Sequence, residues 1–228
     1  MATFYRADCL EFLRRTTAAS LDLLYFDPPF ATTGNWWDDA LPWTEIFTEA
    51  FRVLKPTGNL VIHCSVPFNY TLIRAAPRLP TYSWYWKKNT KTNFLNVKKQ
   101  PLRQVEEILV WKMPKGTYYP QRVGTEKRTV SGARTDARYF SGSAPSKTPD
   151  VVVEGHYQTH LLEYNVCPDN FSTRPQELIE LILKCYTKEG DTVCDLTCYE
   201  GISGVVARRL NRRWIGVDKY HFPKKLMT

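Results

Sequence analysis

A six-residue run, Leu21-Asp22-Leu23-Leu24-Tyr25-Phe26, closes on Asp27-Pro28-Pro29-Phe30, and this junction constrains the chain more than any other stretch. The run is short, apolar and rich in strand formers, so it predicts a buried strand. A carboxylate, two prolines and an aromatic ring then stand at the strand's C-terminal end, the edge where open α/β sheets bind ligands. Each proline fixes φ and removes a backbone donor, so the turn is stiff and offers carbonyls. The Asp27 carboxylate and a proline carbonyl form a rigid pair of acceptors beside the Phe30 ring. That arrangement suits the exocyclic amino group of a nucleobase: two N–H donors meet two acceptors, and the base face stacks on the ring. Read alone, the tetrapeptide is equally an ordinary turn after a strand.

The rest of the chain narrows the choice. With 31 Lys and Arg against 23 Asp and Glu, the net charge of +8 favours a polyanionic partner. At 228 residues the chain suits one large α/β domain or one domain with an insertion. None of the six cysteines forms a C-x-x-C pair, and they read as reduced core residues rather than disulfide or zinc ligands. The four histidines have no metal-ligand spacing. No apolar run is long enough to span a bilayer and no signal-peptide core stands at the start, so an intracellular setting is expected.

Along the chain, Phe4–Arg6 predicts a strand, Asp8 a cap for a helix over Cys9–Arg15, and residues 31–44, with Trp36 and Trp37, a lid beside the site. Residues 43–54 carry apolar side chains at helical spacing, and Lys55-Pro56-Thr57-Gly58 reads as the turn that ends this helix. Asn59–Cys64, Thr81–Trp86 and Val105–Trp111 predict strands, and Pro67–Ala76 a helix. Residues 112–165 change character. Lys115, Arg122, Lys127, Arg128 and Arg134 cluster there among Tyr118, Tyr119, Tyr139 and Phe140, the pattern of a surface that meets phosphates and stacks on bases, or of a solvated loop. Beyond it, Pro175–Thr187 predicts a helix. Thr192–Asp195, a loop, a helix over Ile202–Leu210 and a strand ending at Asp218 then form a β-loop-α-β unit suited to a nucleoside cofactor.

Taken in order, these pieces resemble the β-class amino-group DNA methyltransferases, and most closely the small phage- and virus-type adenine-N6 enzymes. The resemblance rests on Asp8-Cys9-Leu10 with Leu21–Phe30, on Trp37-Asp38-Asp39 with Pro42, and on Val53–Leu60. It continues through Trp86-Lys87-Lys88, Asn93–Lys99, Pro101-Leu102-Arg103-Gln104, Tyr118-Tyr119-Pro120-Gln121 and Thr173–Leu178. It implies a Rossmann-like sheet with helices on both faces. Residues 1–111 and 166–228 would be the catalytic and cofactor-binding halves of one domain, and 112–165 a basic target-recognition insert. It implies S-adenosylmethionine (SAM) as cofactor and double-stranded DNA as substrate. A second copy or a related methyltransferase is the expected dimer partner.

By the same resemblance, Asp27, Pro28, Pro29 and Phe30 would be catalytic, with the target base flipped out of the duplex. Asp8, Asp27, Thr173, Asp195, Gly201 and Asp218 would contact the cofactor. Lys115, Arg122, Lys127, Arg128 and Arg134 would contact nucleic acid. Asp27 rather than serine points to adenine over cytosine, with cytosine-N4 or RNA amino-group methylation as the lesser alternatives, since the same acceptors fit cytosine. The chain departs from the family in the cofactor loop Asp195–Ser203, where Tyr199 replaces a glycine and Glu200 a serine; Val105 replaces a histidine, and Asn170-Phe171-Ser172 stands where a His-Pro opening is usual. A ring and a charge in that loop predict weak SAM binding. They also leave open a catalytically silent DNA-binding partner subunit.

Overall fold

The computed structural model describes residues 2–31, 40–130, 151–167 and 173–226, the side chains of 128, 130 and 151 excepted. Residues 32–39 of the expected lid, Arg134, and the segment 168–172 lie outside the described residues, and the lid's last two residues, Trp43 and Thr44, belong to a helix. The described chain divides into two compact units, 1–119 with 160–228, and 120–159.

The larger unit is built on an eight-stranded mixed sheet. Strand β2 (Leu21–Phe26) is buried at every position, as an apolar run must be when helices cover both faces. Its one carboxylate, Asp22, receives Lys55 Nζ at 2.8 Å on each oxygen and the Thr192 N–H at 2.8 Å. On one side β2 runs parallel to β3 (Leu54–Cys64), and on the other to β9 (Thr192–Asp195). Parallel β10 (Arg213–Asp218) and β1 (Ala2–Arg6) extend the sheet beyond β9. Beyond β3 come antiparallel β5 (Arg103–Lys112), then β4 (Tyr82–Thr92) and β8 (Leu161–Glu163). Because β5 alone is reversed, β4 points the same way as β2 and β3.

Helices cover both faces. Helices α1 (Cys9–Arg15), α2 (Trp43–Val53) and α3 (Phe68–Ala75) pack one face through Leu13, Ile46, Phe47, Ala50 and Leu72. Helices α4 (Gln176–Tyr186) and α5 (Ile202–Arg209) pack the other through Leu178, Ile182, Val206 and Ala207. The Asp8 carboxylate accepts from the Leu10 and Glu11 N–H groups and starts α1. No helix among the described residues is long and apolar enough to cross a membrane. None of the six cysteines is in a disulfide, and five are buried.

Two local expectations change. Lys55–Gly58 is not a turn outside the sheet: β3 begins at Leu54, and its register against β2 jumps from Leu21↔Leu54 to Leu23↔Asn59. The turn-forming residues bulge out of the ladder instead. The described parts of residues 112–165 are also less loop-like than their composition suggests. Leu162 on β8 is buried in the main sheet, and Tyr118 packs with Tyr82, Trp84 and Tyr186 in the larger unit. The smaller unit is an antiparallel ribbon of β6 (Arg122–Val130) and β7 (Val151–Tyr157).

Candidate active site

Strand order reverses direction between β9 and β2. From β9 the chain runs through α5 to β10 on one side, while β2 leads through α2 to β3 on the other. Such a switch point leaves a crevice at the carboxyl ends of the two strands, where α/β sheets bind ligands. Asp27 and Asp195 stand at those two ends. The loops that follow are tied together: Leu196 N–H donates to Tyr25 O at 3.1 Å, and Thr197 Oγ1 donates to Asp27 O at 2.9 Å. These two motifs are far apart along the chain, and the sheet closes the gap.

Asp27 is held by a residue to which the sequence assigns no role. Arg174 Nη2 lies 2.7 Å from Asp27 Oδ1 and 3.1 Å from Glu106 Oε2, and Glu106 Oε1 receives Lys88 Nζ at 2.7 Å. Lys88, Glu106, Arg174 and Asp27 thus alternate in sign along one chain of contacts. The guanidinium carbon lies 5.5 Å from the centre of the Trp86 ring. Burial works against the charge of Arg174, but Asp27 and Glu106 outweigh it and hold its pKa above the ordinary range. Burial pushes the Asp27 carboxyl up, and Arg174 pulls it back. Beneath them, Tyr25 Oη and His63 Nε2 are 2.9 Å apart, and burial together with Arg174 depresses His63 to about 3, so the ring is neutral. A buried arginine next to proline in Thr173-Arg174-Pro175 is the available signal, since an interior guanidinium needs carboxylate partners.

Phe30 stacks on Phe68, with centroids 5.0 Å apart and planes inclined by 20°. Phe68 also meets Trp43 edge-on at 5.4 Å, so the Phe30 ring has a firm aromatic base. Pro28 is buried, and Pro29 is half-buried.

The second strand end differs. Asp195 is 3% exposed, and accepts from Thr197 N–H at 3.1 Å and from Ser203 Oγ, itself fixed by Trp214 Nε1 at 3.0 Å. It has no ion pair among the described residues. Burial pushes its carboxyl up to about 7; the Ser203 and Thr197 hydrogen bonds oppose this, and the charges of Asp27 and Asp218 add to it. Asp218 closes β10 and accepts N–H bonds from Tyr199 at 2.9 Å, Tyr220 at 2.9 Å and His221 at 2.7 Å. Tyr199 occupies the left-handed region at φ 45°, and its ring meets His221 edge-on at 4.7 Å. Glu200 Oε2 accepts from Thr173 Oγ1 at 3.2 Å and lies 3.3 Å from Lys225 Nζ, so its charge has a local cation. Gly201 has φ 82°, and a Cβ there would sit 2.5 Å from Pro223 Cβ, so packing demands this glycine.

Of the residues read as cofactor contacts, the structure groups Asp27, Asp195 and Asp218 through their mutual field, and sets Thr173 against the Asp195–Ser203 loop through Glu200. Asp8 follows β1, which pairs with β10 at Arg6↔Asp218, and its carboxylate caps α1. The basic residues are dispersed. Lys115 follows β5, the reversed strand, and its N–H bonds Pro56 O near the start of β3; it therefore stands at the sheet edge opposite Asp27. Arg122 and Lys127 are exposed on β6, and Arg122 stacks over the Tyr157 ring at 4.3 Å and donates to Gly155 O at 3.0 Å. Arg128 lies on the same strand.

Comparison with known proteins shows the family and the fold. The profile of the N6_N4_Mtase family, described as DNA methylase, matches residues 21–227. The type II methyltransferase M.BamHI of Bacillus amyloliquefaciens is 22% identical over 252 aligned residues, covering 96% of this chain and 54% of that protein. The chain therefore spans about half the length of this curated relative. Among solved structures, the M1.HpyAVI–SAM complex superposes with a TM-score of 0.65 at 17% identity, covering 100% of this chain and 98% of that one. The cytosine-N4-specific PvuII DNA methyltransferase gives 0.63 at 18% identity, covering 99% and 83%. At these identities the likeness establishes a shared Rossmann-like methyltransferase fold.

Proposed function

The chain belongs to the N6/N4 DNA methylase family, and we propose that it transfers a methyl group from SAM to the N6 amino group of adenine in DNA. One observation carries the reading: Asp27, followed by the buried Pro28, stands at the switch point within hydrogen-bonding reach of the cofactor-side loop through Thr197. The name of the M1.HpyAVI structure records SAM in that protein, and PvuII is named for cytosine N4. Asp27 in place of serine supports adenine here.

The residues present fit a cationic cofactor. Three carboxylates, Asp27, Asp195 and Asp218, converge closely enough to raise Asp195, and Asp195 is without a cation of its own among the described residues. Asp195 and Asp218 would hold SAM, which supplies a methyl group on a positively charged sulfur. The chain's own groups do the rest. A base amino nitrogen is a poor nucleophile because its lone pair is delocalised into the ring. Asp27 and the Pro28 carbonyl accept the two amino hydrogens and turn the lone pair out of conjugation. In this reading Asp27 takes the proton that the nitrogen then loses. Phe30, backed by Phe68, stacks the extruded base. Holding both reactants in one crevice removes the entropic cost of their encounter. The exposed cations Arg122 and Lys127 on the ribbon, with Arg128 and Arg134, are proposed phosphate contacts, and the ribbon is the proposed target-recognition region.

Incubation with unmethylated genomic DNA and methyl-labelled SAM, followed by digestion to nucleosides, tests this. Label in N6-methyladenine is the expected result. Label in N4-methylcytosine overturns the adenine assignment alone, and no label in DNA overturns the activity.

A further inference from the structure

The β4–β5 ribbon carries a feature that the proposed chemistry leaves unused. Its two strands pair from Tyr82↔Val110 through Trp86↔Glu106 to Thr92↔Arg103. Because β4 points the same way as β2, the far end of this ribbon lies on the sheet edge that carries Asp27. The Lys88–Glu106–Arg174–Asp27 contacts mark where the ribbon passes the site. From Lys88 the ribbon continues for about 15 Å at the usual strand rise before it turns.

The turn is apolar and exposed. Phe94 is 70% exposed, Leu95 86% and Val97 57%. Three large apolar side chains on a single tip have no reason to face water unless something covers them. The tip is not a loose loop. Phe94–Asn96 form a 3₁₀ turn, Asn93 precedes it at φ 69°, and the N–H groups of Asn96, Val97, Lys99 and Gln100 bond back within the segment at 2.8–3.2 Å. The Asn96 side-chain amide also donates to Asn93 Oδ1 at 2.8 Å. A shaped tip presents its side chains with little ordering cost on binding.

Charge selects the occupant. Between residues 87 and 105 there are six cations and no carboxylate. Lys91, Lys98, Lys99 and Arg103 are exposed and have no ion pair among the described residues. Apolar side chains flanked by such cations match a surface that has phosphates outside and stacked rings inside. Proteins that open duplex DNA drive apolar wedges between base steps, and the larger protein–DNA interface that results offsets the cost of unstacking.

We propose that the 93–99 tip is a wedge for duplex DNA. Phe94 and Leu95 enter the base stack beside the target and hold open the space the flipped base leaves, while Lys98 and Lys99 seat the flanking phosphates. This inference rests on the proposed DNA amino-group methylation. It assigns the tip a role that is needed only when the base must leave a paired, stacked duplex.

The test compares methyl transfer into native and heat-denatured unmethylated genomic DNA for wild type and Phe94→Ala/Leu95→Ala. The double variant is expected to lose about tenfold on native DNA and at most about twofold on denatured DNA, with an unchanged melting temperature, since both side chains are solvent-facing. Phe94→Trp/Leu95→Met, which keeps a large apolar tip, should restore the wild-type ratio. Equal losses on both substrates, or no loss on either, overturn the wedge. A variant that methylates native DNA normally but shifts a concentration-dependent dimer to monomer in sedimentation makes the tip an interface between copies, and also overturns it. Wild type that labels neither substrate is the separate failure of the methyltransferase reading.

Discussion

Two neighbouring strand ends, those of β2 and β9, each present a carboxylate to one crevice, and their surroundings are opposite. Asp27 has a guanidinium at 2.7 Å, anchored in turn by Glu106 and Lys88. Asp195 has only a hydroxyl and an amide, and its proton is held up to about pH 7. The first end has its positive charge built in, and the second has no cation of its own among the described residues. That division of labour is what a site needs when one carboxylate must act on a neutral base and the other must receive a charged cofactor.

The contrast is broken most directly by neutralising each carboxylate. Asp27→Asn should cut the methyl-transfer rate by on the order of a hundredfold or more, since it removes an acceptor proposed to hold the reacting amine. SAM affinity should change little. Asp195→Asn should reverse the pattern, weakening SAM binding more than it slows transfer at saturating SAM. Single-turnover rates and calorimetric SAM titration separate the two, and matching losses in both quantities for both variants would erase the distinction.

Arg174 offers the next largest effect. Its guanidinium lowers the Asp27 pKa against the pull of burial. The other groups facing this cluster, Glu106, Tyr25, His63 and Lys88, remain when Arg174 is removed. In Arg174→Gln the Asp27 pKa therefore rises. Transfer needs the ionised acceptor, so activity should begin to fail at higher pH than in wild type as pH is lowered, with about a tenfold loss, read at a pH below the limb, for each pH unit the limb moves. Arg174→Lys should restore much of the acid limb. An acid limb that stays in place in Arg174→Gln would reduce the residue to a packing role.

How much of this is legible in the sequence follows from the distance over which each signal acts. The Asp27 turn, the Asp8 cap and the end of β10 at Asp218 are written in a few consecutive residues, and the structure places each at the end of its element. The Asp27–Arg174 pair joins residues 147 apart, and no local pattern encodes it. Lys115 illustrates the same limit. Its composition belongs to a nucleic-acid surface, but the reversal of β5 sends it to the edge away from Asp27, and strand direction is a property of the sheet. The tip at Phe94 is legible as a family motif; its exposure needs the fold.

A smaller effect is expected from pH acting on Asp195. For a carboxyl raised to about 7 in the folded chain, the stability contribution is full below its ordinary pKa and is lost as pH rises through 7. A bound cation reverses that preference, because it favours the ionised form. SAM affinity should therefore rise about tenfold between pH 6 and pH 8. Asp195→Asn should flatten the part of that slope that belongs to the protein, leaving the ligand's own titration. An identical slope in wild type and variant would place the charge response elsewhere.

The smallest and most discriminating effect lies in the loop that departs from the family. From the sequence, Tyr199 and Glu200 are expected to weaken SAM binding together, the ring by filling space and the carboxylate by its charge. The structure separates them. Glu200 already faces Lys225 at 3.3 Å and accepts from Thr173, so its charge is locally balanced. Tyr199 holds a left-handed backbone that costs a non-glycine residue about 1 kcal/mol. Its ring contact with His221 recovers part of that cost. Tyr199→Gly removes strain and ring together, so net stability should change by less than about 1 kcal/mol while SAM affinity increases a few-fold. Glu200→Ser should alter SAM affinity by no more than about twofold, because a carboxylate next to a lysine contributes little net field. The measurements are SAM dissociation constants and melting temperatures for both single variants and the double variant. If Tyr199→Gly loosens SAM binding, the tyrosine is a working wall of the cofactor crevice, and the second strand end is then as fully built as the first.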